Sequence, residues 1–138
     1  MQKTLVLIKP DAFGKGHAGA ILKIYEDAGF KVLAAKVMRM TPELAAKHYV
    51  EHIGRPYYPA LVDFMTSAPI MAVVLAGDDV IKKVRELNGA TNPAEAADGT
   101  IRKLYAEDKT KNAVHASDST QSAAREIPIF FGAYEIFD

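Results

Sequence analysis

The chain has 138 residues, a formal net charge of zero and no cysteine. Zero net charge argues against a general attraction to nucleic acid or membrane, and the lack of cysteine excludes disulfides, thiol catalysis and thiolate metal sites. No apolar run reaches membrane-spanning length and no signal peptide is recognisable, so we expect one cytoplasmic domain over residues 1–138.

Apolar runs predict two strands and an intervening helix in the N-terminal part of the chain. Thr4–Ile8 is apolar and rich in β-branched residues, and Lys9-Pro10 ends this central strand because proline interrupts strand pairing. Apolar residues at helical spacing across Ala18–Ala28, followed by Gly29, predict a helix. Phe30–Met40 carries basic residues and predicts a strand at a sheet edge or a subunit contact.

Helix signals dominate the middle of the chain. Thr41-Pro42-Glu43 predicts a helix start, with Thr41 as the N-cap and Pro42 at the first position, and the helix ends at Gly54-Arg55-Pro56. Tyr57–Thr66 predicts a second, short helix. Pro69–Ala76 predicts another buried strand, and a helix with one apolar face follows it.

The regular pattern is lost between Asn88 and Lys111, where only Thr100–Ala106 predicts a helix. A later short helix is expected to end near Glu126, and Ile129–Tyr134 is predicted to be the last strand. The resulting order, β-α-β-β-α-β, predicts an α+β fold. We expect a ferredoxin-like sandwich with a four-stranded antiparallel sheet covered by helices and an inserted loop before His115.

The stretch Asn112–Ser119 places one histidine, His115, before small hydroxyl and carboxylate residues. Ser117, Asp118 and Ser119 are favourable helix N-caps, and Asp118 has capping-box spacing to Gln121. His115 is therefore expected just before a helix N-terminus, whose free N–H groups suit phosphate. Neutral imidazole is a nucleophile near pH 7, so the stretch predicts phosphoryl chemistry; the alternative is a histidine that only fills a turn.

Two other functions are compatible with the same residues. His48-Tyr49-Val50-Glu51-His52 matches H-x-x-E-H, which favours a zinc-dependent hydrolase with His48 and His52 as ligands and Glu51 as base. The simpler interpretation of this motif is a polar helix face. A ferredoxin-like domain can also be a non-catalytic binding module for RNA or small effectors, although the neutral charge weighs against nucleic acid. No P-loop motif is present, and Gly14-Lys15-Gly16 is more typical of a turn than of a phosphate cradle.

A nucleotide requires cations for its phosphates and an aromatic face for its base. Suitable residues lie at predicted element ends and in loops, where binding sites are commonly built. They are Lys9, Arg85 and Arg102 as cations, Thr91 as a hydroxyl, and Tyr57 or Tyr58 as the aromatic face.

Asn112–Ser119 (NAVHASDS) resembles the active-site signature of nucleoside diphosphate kinases. The resemblance covers essentially the whole chain, with further motifs in matching order and spacing at Ile8–Asp11, His48–His52, Arg55–Tyr58, Gly89–Pro93 and Gly99–Arg102. It implies transfer of the γ-phosphoryl group of a nucleoside triphosphate to a nucleoside diphosphate. The implied mechanism is ping-pong, through a phosphohistidine at His115.

The same resemblance implies roles for individual residues. Glu126 is expected to orient the ring of His115, with Ser117 and Asp118 in support. Tyr57 is expected to stack on the base, with Leu61 beside it. The positions around phosphates and ribose are Lys9, Tyr49, Arg85, Thr91, Arg102 and Asn112, of which Lys9, Tyr49 and Asn112 are also expected to assist catalysis.

The resemblance further implies Mg²⁺ held mainly by nucleotide phosphates, with no protein ligand. Family members are usually hexamers, with tetramers among bacterial forms. We therefore expect a homo-oligomer, with a hexamer favoured over a tetramer or dimer, although the chain lacks the longer C-terminal tail of some members. Ala116 stands where many members have glycine.

Overall fold

A four-stranded antiparallel sheet lies at the centre of the computed structural model, which describes residues 1–138. The strands are β1 (Gln2–Ile8), β2 (Lys31–Met38), β3 (Ile70–Gly77) and β4 (Val114–Ala116), in the spatial order β2-β3-β1-β4. β1 pairs along its whole length with residues 71–77 of β3, and both strands are largely buried, as their apolar runs predict. This arrangement confirms the predicted α+β, ferredoxin-like class.

Seven helices complete the fold. They are α1 (Pro10–Gly14), α2 (Ala18–Asp27), α3 (Pro42–His48), α4 (Tyr58–Thr66), α5 (Val80–Asn88), α6 (Ile101–Tyr105) and α7 (Thr120–Phe130). Short 3₁₀ turns lie at Val50–His52, Pro93–Glu95 and Ala133–Glu135. α5 and α7 pack on β1, so the helices close over the central strands. None of the helices has the length and apolar character needed to cross a membrane.

Local sequence signals place several helix ends correctly. The Thr41 hydroxyl accepts a hydrogen bond from the Leu44 N–H at 3.2 Å, as expected of an N-cap. Gly29 follows α2 with φ of 93°, a conformation that glycine adopts without steric cost. β2 lies at the edge of the sheet, also as predicted.

The prediction of a last strand over Ile129–Tyr134 is wrong. α7 continues to Phe130, and the fourth strand is instead the three-residue segment Val114–Ala116 that carries His115. Short apolar runs do not distinguish a strand from a buried helix. Here the buried positions of α7, which are Ala123, Glu126, Ile127 and Phe130, have helical spacing. β4 forms because it pairs with β1, which its own short sequence does not indicate.

The start of α7 also differs from the predicted capping box. Ser119, in an extended conformation, is the N-cap, and its hydroxyl accepts from the Ser122 N–H at 3.0 Å. The Asp118 carboxylate accepts from the Ser122 hydroxyl at 2.6 Å instead of capping the backbone. The helix that carries Glu126 therefore begins at a defined residue close to His115.

Loss of the Ser119 cap is expected to destabilise the protein. Ser119→Ala removes the acceptor for a free N–H at the start of α7, which costs about 1 kcal/mol. The free energy of unfolding, measured by urea denaturation, should fall by this amount. Ser119→Asp keeps an acceptor and serves as the control, and equal stability of the two variants would contradict this role.

Candidate active site

The side chain of His115 projects from β4 next to α7. In the strand register His115 lies opposite Leu7 of β1, and its side chain is 23% exposed. Its Nε2 lies 2.9 Å from Oε1 of Glu126, on the buried face of α7. Because a carboxylate only accepts hydrogen bonds, this contact assigns the proton of a neutral ring to Nε2. Nδ1 then carries the free electron pair.

Glu126 is itself held by neighbouring groups. The buried Ser117 hydroxyl donates to Oε1 at 2.9 Å and accepts from the Leu5 N–H of β1 at 3.2 Å. Nη2 of Arg125 lies 3.6 Å from Oε2 of Glu126 and also donates to the carbonyl of His48. The carboxylate is thus tied to the sheet on one side and to the end of α3 on the other.

Aromatic rings form the wall beside His115. His48 is 3% exposed, and its ring meets the ring of His115 edge-on, with centroids 4.6 Å apart. Burial, reinforced by His115 and Arg125, lowers the pKa of His48 to about 2, so this ring stays neutral. Tyr49 and His52 continue the row of rings towards Tyr57.

The H-x-x-E-H motif does not form the predicted zinc geometry. α3 ends at His48, and His52 lies in the following 3₁₀ turn, where its Nδ1 bonds to the Tyr57 hydroxyl. The donor atoms that do approach one another, within 4.8 Å, belong to His48, His115 and Glu126. The His48 and His115 rings cross at 85°, and Glu126 already bonds His115, so a metal ion there would displace the contact that orients His115.

Lys9 and Asn112 form a buried polar pair at the end of β1. Nζ of Lys9, which is 8% exposed, donates to Oδ1 of Asn112 at 2.8 Å. Burial, followed by the charge of Arg102, lowers the pKa of Lys9 to about 8, and Asp11 partly opposes the shift. This ammonium lacks a carboxylate partner within ion-pair distance, so an incoming anion would be its first close counter-charge.

Arg102 and Arg85 differ in how many hydrogen bonds their side chains make within the protein. Arg102 donates to three backbone carbonyls, those of Gly89 at 2.7 Å, Val114 at 2.9 Å and Asn112 at 3.3 Å, and so braces the irregular segment before β4. A guanidinium has five N–H donors, which leaves Arg102 two for a ligand. Arg85 makes one hydrogen bond, to the carbonyl of Ala116 at 3.4 Å, and its side chain is otherwise available.

One cleft, with a volume of about 730 Å³, contains His115 and nearly all of the predicted site residues. Those lining it are Lys9, Tyr49, Tyr57, Leu61, Arg85, Thr91, Arg102, Asn112, His115, Asp118 and Glu126. Ser117 lies behind Glu126. Tyr58 and the turn Gly14-Lys15-Gly16 lie outside the lining. Sequence reasoning missed Lys109, Thr110 and Arg125, which line the cleft without belonging to a motif.

Comparison with known proteins agrees with this arrangement. The chain matches the family model described as nucleoside diphosphate kinase over residues 2–136. The chain belongs to the nucleoside diphosphate kinase family. Proteins named nucleoside diphosphate kinase from Desulforamulus reducens and Rhodopirellula baltica are 45% and 46% identical to it over 138 residues, covering 100% of this chain and 93% and 91% of theirs.

Solved structures of nucleoside diphosphate kinases have the same fold. The Aquifex aeolicus enzyme is 46% identical with a TM-score of 0.95, and the alignment covers 98% of both chains. The Halobacterium salinarum enzyme, solved in complex with CDP, is 41% identical with a TM-score of 0.96, covering 99% of this chain and 91% of that one. Family membership makes this chain a nucleotide phosphotransferase and disfavours both the zinc hydrolase and the non-catalytic module.

The lowered pKa of Lys9 predicts a pH effect on nucleotide use. Lys9 is charged below about pH 8 and loses its proton above it, so its attraction to phosphate fades as the pH rises. In the free enzyme, kcat/KM for the nucleotide should fall progressively above pH 8, by up to about tenfold per unit.

This dependence is measured as kcat/KM from about pH 7 to about pH 10. Lys83→Met, which changes an exposed lysine of α5, is the matched control and should keep the profile. A wild-type profile that stays flat to the top of this range would show that Lys9 does not titrate there.

Proposed function

We propose that residues 1–138 form one nucleoside diphosphate kinase domain in which Nδ1 of His115 attacks the γ-phosphorus of a bound nucleoside triphosphate. The Nδ1–P bond forms as the bond from phosphorus to the β–γ bridging oxygen breaks, and the diphosphate leaves with that electron pair. A second diphosphate then takes the phosphoryl group from the ring. The observation that carries this proposal is the hydrogen bond between Nε2 of His115 and Glu126, which leaves Nδ1 unbonded.

Glu126 has a second role in this scheme. Phosphorylation of the neutral ring creates positive charge on the imidazole, and a carboxylate on Nε2 stabilises that charge. Ser117 keeps the carboxylate in place through Oε1. Asp118 supports the site more indirectly, since it bonds Ser122 in the first turn of α7.

The phosphates lie between Lys9, Arg85, Arg102 and the hydroxyl of Tyr49 in this proposal. The Tyr49 hydroxyl is buried and has no hydrogen-bond partner, so it is a donor that a phosphate oxygen would satisfy. Burial raises the pKa of Tyr49 well above its ordinary value, which keeps the donor proton on the hydroxyl. Asn112 acts with Lys9, and Thr91 adds a hydroxyl to the lining of the cleft.

The nucleobase stacks on Tyr57 with Leu61 beside it. Tyr57 is 51% exposed, so a large part of its ring remains open to a ligand. Stacking uses the π-face that every base has, which predicts loose specificity among nucleosides.

Kinases of this family generally use a divalent cation, which we propose to be Mg²⁺. The carboxylates around the cleft fit an ion that is carried by the nucleotide, because two of the three that line it already accept hydrogen bonds from protein side chains. Glu126 bonds His115 and Ser117, and Asp118 bonds Ser122, which leaves only Glu51. When bound, Mg²⁺ would neutralise charge on the β- and γ-phosphates.

We also propose a cytoplasmic homo-oligomer, with a hexamer favoured over a tetramer or dimer. The support for an oligomer is the set of apolar side chains left at the surface of β2 and of the C-terminal segment. Val37 is 55% exposed, Tyr134 84% and Phe137 76%. An oligomer would cover such groups.

The phosphohistidine is tested directly by labelling. Wild-type protein incubated with γ-labelled ATP and Mg²⁺ should gain an acid-labile phosphate and pass it to an added nucleoside diphosphate. His115→Gln should lower the exchange rate by about 10³-fold or more, because the covalent step is lost.

His17→Gln is the matched control, since His17 lies outside the cleft and stacks on Tyr105. It should keep normal labelling and exchange. Full exchange activity in His115→Gln would refute the mechanism.

A further inference from the structure

Ala113 occupies an unfavourable backbone conformation two residues before His115. Its φ of 74° is in the left-handed region, where Asp79 is the only other residue that is not glycine. The Val114 N–H donates to the carbonyl of Asn112 at 2.9 Å, which closes a γ-turn around Ala113. A γ-turn with positive φ is rare and strained for a residue with a Cβ. Strain of this kind persists only where the surrounding structure enforces it.

Both polar groups of the Ala113 backbone are held by the segment that follows β1. Oδ2 of Asp11 accepts from the Ala113 N–H at 3.0 Å. The Lys9 N–H donates to the Ala113 carbonyl at 2.9 Å. Ala113 is fully buried, so water cannot replace either contact. Of these two hydrogen bonds, only the one to Asp11 involves a side chain.

Asp11 is itself in an unfavourable position. Its other oxygen, Oδ1, is buried without a hydrogen-bond partner. Burial raises the pKa of Asp11, although the hydrogen bond from Ala113 opposes this shift. The backbone N–H groups of Ala12 and Asp11, in the first turn of α1, and the charge of Lys9 also favour the charged carboxylate. The only side-chain hydrogen bond of Asp11 is the one to the turn.

The turn connects two groups that the proposed reaction uses. On its N-terminal side, Asn112 accepts from Nζ of Lys9 and donates to the carbonyls of Thr91 and Lys109. On its C-terminal side, β4 begins at Val114 and places His115 opposite Leu7. A change of backbone direction at Ala113 would therefore move Asn112 and His115 relative to each other.

We propose that Asp11 is a positioning residue, whose carboxylate holds Ala113 in the left-handed turn and thereby aligns the Lys9–Asn112 pair with His115. Asp11 does not touch the reacting atoms. Its expected effect on catalysis rests on the proposed function, but its hold on the turn does not.

Removal of the acceptor tests the effect on catalysis. Asp11→Ala should lower kcat by about tenfold or more, because small displacements of catalytic groups have large effects on rate. Asp11→Asn keeps an oxygen acceptor without the charge and is the matched control, so it should retain most of kcat. Equal losses in the two variants would show that charge, and not support of the turn, is what matters.

A second test asks whether glycine at position 113, which removes the backbone strain, restores the kcat lost in Asp11→Ala. Glycine adopts positive φ without steric cost, so Ala113→Gly in the Asp11→Ala background should restore most of kcat. Ala113→Gly alone should change kcat by less than about threefold. Failure of the rescue would overturn the proposal. If Asp11→Ala does not fold, the double variant must fold and be active for the proposal to stand.

A thermal measurement separates this proposal from the enzyme mechanism. Ala113→Gly should raise the melting temperature less in the Asp11→Ala background than in wild-type protein, because the Asp11 carboxylate is what keeps Ala113 in the strained conformation that glycine relieves. The effects of glycine on the unfolded chain cancel in this comparison. Equal changes in both backgrounds would show that Asp11 does not hold the turn. Absence of a phosphohistidine in wild-type protein would refute the proposed function while leaving this thermal test decisive for the turn.

Discussion

The site depends first on the hydrogen bond between Nε2 of His115 and Glu126. A histidine offers two ring nitrogens, and a nucleophile must present one of them with its electron pair free. The bond to Glu126 fixes the proton on Nε2 and so leaves Nδ1 with its electron pair free. β4 must be paired with β1 to place His115, and α7 must turn its buried face inward to place Glu126. Ser117 connects α7 to β1, since its hydroxyl bonds both Glu126 and the backbone of Leu5.

Neutral aromatic rings and cationic side chains both surround His115. The aromatic row beside His115 begins with His48, which burial keeps neutral, so the cation nearest the Glu126 carboxylate is Arg125, at 3.6 Å from Oε2. Lys9, Arg85 and Arg102 also line the cleft. Burying an ammonium without a carboxylate partner is unfavourable, as the lowered pKa of Lys9 records. A nucleotide phosphate beside Lys9 would favour the charged ammonium and raise its pKa again.

Local signals in the sequence predicted much of this structure. The Thr41 cap, the end of α2 at Gly29 and the buried strands β1 and β3 follow from residues within one element. β4 could not be predicted in the same way, because a three-residue strand exists only through its partner. The predicted site residues came mainly from motifs, whereas Arg125 and Lys109 belong to none. The contact between Asp11 and Ala113 joins residues 102 positions apart, which no local pattern reveals.

The central claim is that Glu126 leaves Nδ1 as the nitrogen that carries the phosphoryl group. It is tested most directly by nuclear magnetic resonance of the phosphorylated protein with ¹⁵N-labelled histidine, in which coupling to ³¹P identifies the bonded nitrogen. The structure predicts phosphorus coupled to Nδ1 of His115, with Nε2 still protonated and bonded to Glu126. Phosphorus coupled to Nε2 would contradict it, because that nitrogen is then not the one that Glu126 holds.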